Sequence, residues 1–178
     1  MFILNVKDQY CNMYRTIRDF LADWQFETTG TAKVLNSITE NLRTQHIHPD
    51  VRSLEQLAWH LTQTLTEMGH RAGLFVDDLL EHENMPGTIA ELAVVYESYA
   101  AQFGKAVHSK WTDSALTEKV EMYGEQWTKG TILRVLISHQ SHHRGQMTVI
   151  MRVLGLKVPG IYGPSKEEWV EMGMNAPV

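Results

Sequence analysis

Proline placement constrains this chain more than any other feature of its sequence. Five prolines stand in 178 residues, at Pro49, Pro86, Pro159, Pro164 and Pro177. Proline removes a helix hydrogen bond and clashes with the preceding turn. The long proline-free stretches are therefore the places where helices can form, and apolar residues recur through them at spacings of three and four. The first stretch predicts a helix over 11–42, with Met13, Ile17, Phe20, Leu21, Trp24, Leu35, Ile38 and Leu42 on one face. Thr28 and Thr31 interrupt that stripe. A hydroxyl in a core stripe either bonds its own backbone or lines a pocket.

Ser53 followed by Gln56 has the spacing of a capping box and opens a second helix, read as 53–80, with Leu54, Leu57, Leu61, Leu65, Met68, Ala72, Phe75 and Leu79 on its stripe. Gly69 and Gly73 within it suit either close approach of a neighbour or tolerated small residues. Thr88 with Glu91 opens a third helix, 88–108, striped by Ile89, Leu92, Tyr96, Ala100, Phe103 and Val107. Residues 108–127 lack sustained periodicity beyond a short turn near Ser114–Val120, which makes a long link with room for a crossover or a pocket cover. A fourth helix runs 128–154, with Gly155 as its terminating glycine. A Pro/Gly-rich tail then leads to a short capped helix at Ser165–Met172. No alternating strand, repeat or low-complexity run is visible. Four amphipathic helices predict an all-α four-helix bundle, one domain over 1–178 with 155–178 as its tail.

Sixteen Lys+Arg against 21 Asp+Glu give a net charge of −5 without a basic cluster, which argues against a nucleic-acid partner. No apolar run reaches the roughly 18 residues of a membrane span. Met1–Val6 is too short for a secretory core, and Lys7 and Asp8 follow it. The single cysteine, Cys11, has no intrachain disulfide partner. A cytoplasmic location is the expectation.

Nine histidines are the chemically rich element. His46, His48, His82 and His108 lie in links or at helix ends, and His70 reads as a partly exposed residue of the second helix. The unusual cluster is Ser138-His139-Gln140-Ser141-His142-His143-Arg144-Gly145-Gln146. His139 and His143 are four apart, hence on one helix face, and they continue the stripe Ile132, Leu136, Met147, Ile150. Buried imidazoles need partners, and a divalent ion satisfies two rings at once through neutral nitrogens. His142, three residues from His139, is a rival ligand further round the helix. The best-placed third ligand is His60, in Leu57-Ala58-Trp59-His60-Leu61, on the border of the second helix's stripe. Glu67, two turns on, is a surface glutamate or an acid/base group. Arg144 reads as a packing or salt-bridging residue at the helix surface, with a substrate carboxylate as its alternative partner. Tyr96, Tyr99, Thr28 and Thr31 are candidate pocket linings.

Leu57-Ala58-Trp59-His60-Leu61, His139-Gln140-Ser141-His142-His143-Arg144-Gly145-Gln146 and Pro159-Gly160-Ile161-Tyr162-Gly163-Pro164 together resemble the DinB/YfiT-like metalloprotein superfamily over nearly the whole chain. The resemblance implies a four-helix bundle that forms a homodimer. It implies a site for one divalent transition metal, nickel or zinc, at His60, His139 and His143. It further implies a metal-dependent enzyme, a thiol S-transferase or a hydrolase, acting on a small molecule with a low-molecular-weight thiol as co-substrate. The competing expectation is a stress-related metal- or ligand-binding protein without turnover.

Overall fold

A computed structural model describes residues 14–176. Cys11 and Met13, assigned above to the first helix, lie outside the described residues, as does Pro177. The described chain runs α1 (Ile17–Asn36), α2 (Leu54–Arg71), α3 (Ile89–Lys110), a 3-10 turn (Asp113–Thr117), β1 (Lys119–Met122), β2 (Glu125–Thr128), α4 (Lys129–Val153) and α5 (Lys166–Glu171). The architecture is the expected all-α four-helix bundle with one small hairpin added.

Capping chemistry sets the helix starts. Thr16, Ser53, Thr88 and Ser165 each accept from the third residue of the following helix, whose side chain returns to the cap backbone. These boxes satisfy amide groups that have no partner inside the helix. The Thr16–Asp19 box starts α1 at Ile17, six residues later than the periodicity alone places it. At the other end α1 stops at Asn36 rather than near Leu42. The following link keeps Ile38 buried, so a core-facing link mimics a further helical turn. Helix α2 likewise ends at Arg71, short of the expected 80. Gly73 sits beyond it at φ +73. The Leu74 amide reaches the Gly69 carbonyl at 2.8 Å, and the Gly73 amide reaches His70 at 2.9 Å, the paired bonds of a Schellman stop. Gly69 does serve close approach, but to a ring. A Cβ there would meet Phe75 at 2.4 Å.

The long link before α4 is not featureless. Lys119–Met122 pairs antiparallel with Glu125–Thr128, with Met122 opposite Glu125. Tyr123 and Gly124 form the two-residue turn, both at positive φ (55 and 82), as a primed hairpin turn requires.

Helix α1 packs on α3 and α4, and α2 packs on the same two. The Ile17 amide bonds Asp113 at 2.7 Å, just past the end of α3. The α1–α3 pair is also joined by the Trp24 indole, which donates to the Ala100 carbonyl at 2.9 Å. Links 37–53 and 111–128 therefore connect helices that are not principal neighbours, the crossover that the length of the second link allowed. Arg43 ties the first link down by pairing with Glu40 and Glu55 and donating to the Gly87 carbonyl at 2.8 Å.

The α1–α4 contact is polar and deeply buried. Arg144 is 1% exposed and Glu27 7%. The guanidinium donates to Glu27 Oε2 at 2.5 Å, to the Glu27 carbonyl at 2.9 Å and to Thr31 Oγ1 at 3.2 Å. The Tyr162 hydroxyl also accepts from it, at 2.5 Å, while donating to Glu27 at 2.8 Å. One turn earlier on α4, Gln140 Oε1 accepts from Thr31 at 3.2 Å and from Tyr96 of α3 at 2.9 Å. Arg144 is thus not a surface residue, and its guanidinium is engaged by Glu27, Thr31 and Tyr162. Burial of its charge is possible because every hydrogen bond of that planar fork lands on a fixed oxygen. Thr31 and Tyr96 belong to this network, whereas Thr28 bonds its own helix at Trp24 (2.7 Å).

Arg144→Met would strand the Glu27 carboxylate in the interior. A loss of about 3–5 kcal/mol is expected, measured by urea denaturation, with much of it recovered in the Glu27→Gln/Arg144→Met double variant. Equal losses in the single and double variants would show that the pair matters for shape alone.

Candidate metal centre

Two neighbouring stripes of α4 divide the work of this helix. Gln140 and Arg144 face α1. His139 and His143, each one residue earlier and so about 100° round the helix, meet α2. There His60 completes a group of three. His60 Nε2 lies 3.1 Å from His139 Nε2, and His143 Nε2 lies 3.1 Å from the same atom. One ring nitrogen from each residue falls within 4.8 Å of the others. The rings are set edge to face, with centroids 4.4–4.9 Å apart. The sequence-predicted trio is therefore brought to one point. His142 is not part of it; the ring is exposed and only flanks His143, with centroids 4.8 Å apart.

The donor set fits a divalent ion. Bonds of about 2.0–2.1 Å to imidazole nitrogen place two ligand atoms about 2.9 Å apart at a right angle and about 3.3 Å apart at the tetrahedral angle. Two of the three separations, those from His139 Nε2 to His60 and to His143, are 3.1 Å and lie between these. Three nitrogens facing one another also cannot satisfy each other by hydrogen bonding, since a proton on one serves only one neighbour. His143 Nδ1–H donates to Gln146 Oε1 at 2.7 Å, leaving the Nε2 lone pair directed at the group. This is the kind of support that orients a ligand ring and selects its tautomer. The His139 Nδ1 atom is buried with no hydrogen-bond partner.

Burial holds the rings neutral, which is the form that binds metal. It lowers the His139 pKa to about 3, with His143, His60, His142 and Arg52 adding to the effect. It lowers His60 to about 4, helped by His143 and Arg52. For His143, burial lowers the pKa while the bond to Gln146 opposes the shift.

Two clefts flank the trio. One, of about 640 Å³, is bordered by His143 and Gln146 and walled by Ile47, Val51, Leu57 and Val149. The other, of about 650 Å³, is bordered by His60 and is polar, with Thr64, Glu67, Arg71 and Asp78 on its walls. Glu67 pairs with Arg71 at 3.2 Å there and is not one of the converging ligands. Tyr96 and Thr28 line a third groove, between α1 and α3, that none of the three imidazoles borders. Tyr99 is half-buried and lines none of these three. Arg52 and Gln146 carry roles that spacing alone did not assign. Gln146 had a usable signal in its i, i+3 relation to His143. Arg52 had none beyond its place before the Ser53 cap.

The DinB family model matches residues 13–174. YrdA of Bacillus subtilis (strain 168), an uncharacterized protein, is 39% identical over 165 residues, covering 93% of this chain and 99% of its own. The crystal structure of a DinB-like protein from Bacillus cereus ATCC 10987 is similar at a TM-score of 0.75 and 36% identity, over 84% of this chain and 100% of that one. A second DinB-like protein, YjoA of Bacillus subtilis, shares the fold at a TM-score of 0.66 and 15% identity, over 80% of this chain and 97% of its own.

The depressed imidazole pKa values set a pH dependence. An unfolded histidine titrates near about 6.5, so the metal-free unfolded chain binds more protons than the folded one below that pH. Stability should fall as pH drops from about 6.5 towards 4, the value reached by His60. In denaturation series across that range, His139→Phe should flatten the slope. An unchanged slope would mean that burial does not hold His139 neutral.

Proposed function

We propose that this chain, which belongs to the DinB family, holds one divalent transition-metal ion, nickel or zinc, on His60, His139 and His143. We propose further that it catalyses transfer of a low-molecular-weight thiol to an electrophilic small molecule. The observation that carries the reading is the convergence of three imidazoles from two helices, with His139 Nε2 3.1 Å from both His60 Nε2 and His143 Nε2 and all three ligand atoms within 4.8 Å of one another. Three neutral imidazoles leave the ion its full charge and fewer protein ligands than the four of a closed structural site. An ion so held lowers the pKa of a thiol or water bound to it, which supplies a nucleophile near neutral pH.

The chain's own residues provide the rest. Gln146 fixes the His143 ring. The Arg144 network fixes the helix that carries two of the ligands. The cleft beside His143 offers apolar wall residues to a small acceptor, and its volume of about 640 Å³ is in the range of small-molecule sites. That cleft supports a site that takes a small molecule, which suits an enzyme and also a ligand-binding protein without turnover. Transfer to a thiol is preferred to hydrolysis on the family resemblance alone. A homodimer is part of the proposal. The α1–α3 groove, where Leu21, Ala32 and Ala101 stand among Gln25, Thr29 and Glu97, is the face that a second copy would cover. Light scattering at micromolar concentration should give twice the chain mass of 20.4 kDa, and a monomer mass would remove this part.

Metal content of purified single variants tests the site. His60→Ala, His139→Ala and His143→Ala should each lose the ion, while His142→Ala keeps it. Gln146→Ala should weaken affinity by about 10–100-fold, the usual cost of losing a ligand's hydrogen-bond support. Retention of metal by all three ligand variants would place the site elsewhere. Conjugation of cysteine to monochlorobimane tests the chemistry. The rate should depend on added metal and vanish in His139→Ala. A metal-loaded protein that accelerates neither conjugation nor ester hydrolysis would favour binding without turnover.

A further inference from the structure

The cleft beside His143 carries two features that neither the fold nor the metal ligands require. The first is Arg52. It is an exposed residue that lines the cleft, its charge adds to burial in lowering the imidazole pKa values, and it pairs with no carboxylate among the described residues. Arg43, on the same link, is by contrast paired with both Glu40 and Glu55. A cation beside a metal-binding group works against the ion, so its position invites an anion that compensates both. Asp50 borders the same cleft, but its side chain is 91% exposed and lies 3.7 Å from His48 rather than on Arg52.

The second feature is Gly145. It stands in the interior of α4, where glycine is the weakest helix former after proline. A Cβ there would meet nothing within 4 Å. No packing against the rest of the chain explains the missing side chain. Gly30 is different: a Cβ on it would approach Ile161 at 2.9 Å. Gly145 lies in the cleft wall between His143 and Gln146. Its bare, exposed backbone leaves open space in that wall beside a proposed ligand ring.

We propose that this cleft binds an apolar small molecule bearing a carboxylate, with the carboxylate on the Arg52 guanidinium and the apolar body seated over Gly145 against Ile47, Val51, Leu57 and Val149. Arg52 is then the specificity-determining residue, since a guanidinium matches a carboxylate in bidentate fashion. Gly145 sets how deeply the body reaches towards His143. The inference names the substrate class of the site proposed above and rests on that reading for its meaning in catalysis. Its test is separate.

The probes are octanoate and its neutral counterpart octanamide, titrated calorimetrically into the full chain as purified and after loading with nickel, with metal content measured on the same samples. Octanoate should bind about tenfold more tightly than octanamide, the discrimination expected of one charge-assisted contact. Arg52→Gln should bring octanoate down to the octanamide level and leave octanamide unchanged. Gly145→Leu, at a position with free space and with a good helix former, should fold and weaken both probes about tenfold by filling the cleft. Several results would overturn the proposal: no octanoate binding, equal affinity for the two probes, a preference that survives Arg52→Gln, or parental affinity in Gly145→Leu. A chain that takes no metal yet prefers octanoate through Arg52 would remove the metal reading and leave this one. A chain that takes metal but shows no preference would do the reverse.

Discussion

Everything at the candidate site depends on how α4 is seated, and beside its buried apolar stripe of Ile132, Leu136, Met147 and Ile150 α4 is seated by one buried ion pair. Arg144 and Glu27 are held among Thr31, Tyr162 and the Glu27 carbonyl, in a position where an unpaired charge would be very costly. A shift of α4 by one residue would swing Arg144 about 100° off Glu27 and leave both charges unpaired inside the protein. The same shift would carry His139 and His143 off His60. The ion pair therefore works as a register lock, and the imidazoles inherit their positions from it. Tyr162 brings the tail into the same lock. Its hydroxyl contacts Glu27, Arg144 and Ser141, although much of the ring is exposed. Tail, α1 and α4 thus meet at one buried carboxylate.

The imidazole group shows the opposite economy. Where the Arg144 network satisfies its charges, the trio leaves its polar atoms facing one another. Rings that are neutral, partly buried and aimed at a common point gain little from the protein itself, and the buried Nδ1 of His139 gains nothing among the described residues. Polar groups in that condition are destabilising unless something else engages them. A divalent cation does so through the lone pairs that burial has already freed of protons. The site lies between a polar cleft at His60 and an apolar one at His143.

Much of this was legible in the sequence, for identifiable reasons. Helices α2, α3 and α4 announce themselves through Ser53, Thr88 and Thr128 at their starts and through unbroken stripes. The trio was legible because His139 and His143 sit on the core stripe of α4 and His60 borders that of α2. Helix α1 was overextended because Ile38 stays in the core after the helix has ended, so periodicity could not register the stop. The hairpin at 119–128 escaped because its strands are only four residues long and only the first alternates: Lys119–Met122 has one buried position and Glu125–Thr128 has none. Its turn is Tyr123-Gly124 rather than the Asn-Gly or Asp-Gly that usually marks a primed turn. Arg144 was misplaced for a different reason. Arginine is rarely buried, and nothing local says that a glutamate on another helix waits for it. That pairing is a fact of topology, and it is also what makes the histidine spacing meaningful.

The central claim is that one ion sits on three imidazoles whose positions the Arg144–Glu27 lock determines. Anomalous diffraction from crystals of the nickel-loaded chain, recorded on either side of the nickel edge, tests it most directly. The account predicts a single strong peak about 2.0–2.2 Å from the Nε2 atoms of His60, His139 and His143, with Gln146 still bonded to His143 Nδ1. A peak on His142, a peak reached through Nδ1 atoms, or no peak within bonding distance of the trio would contradict it.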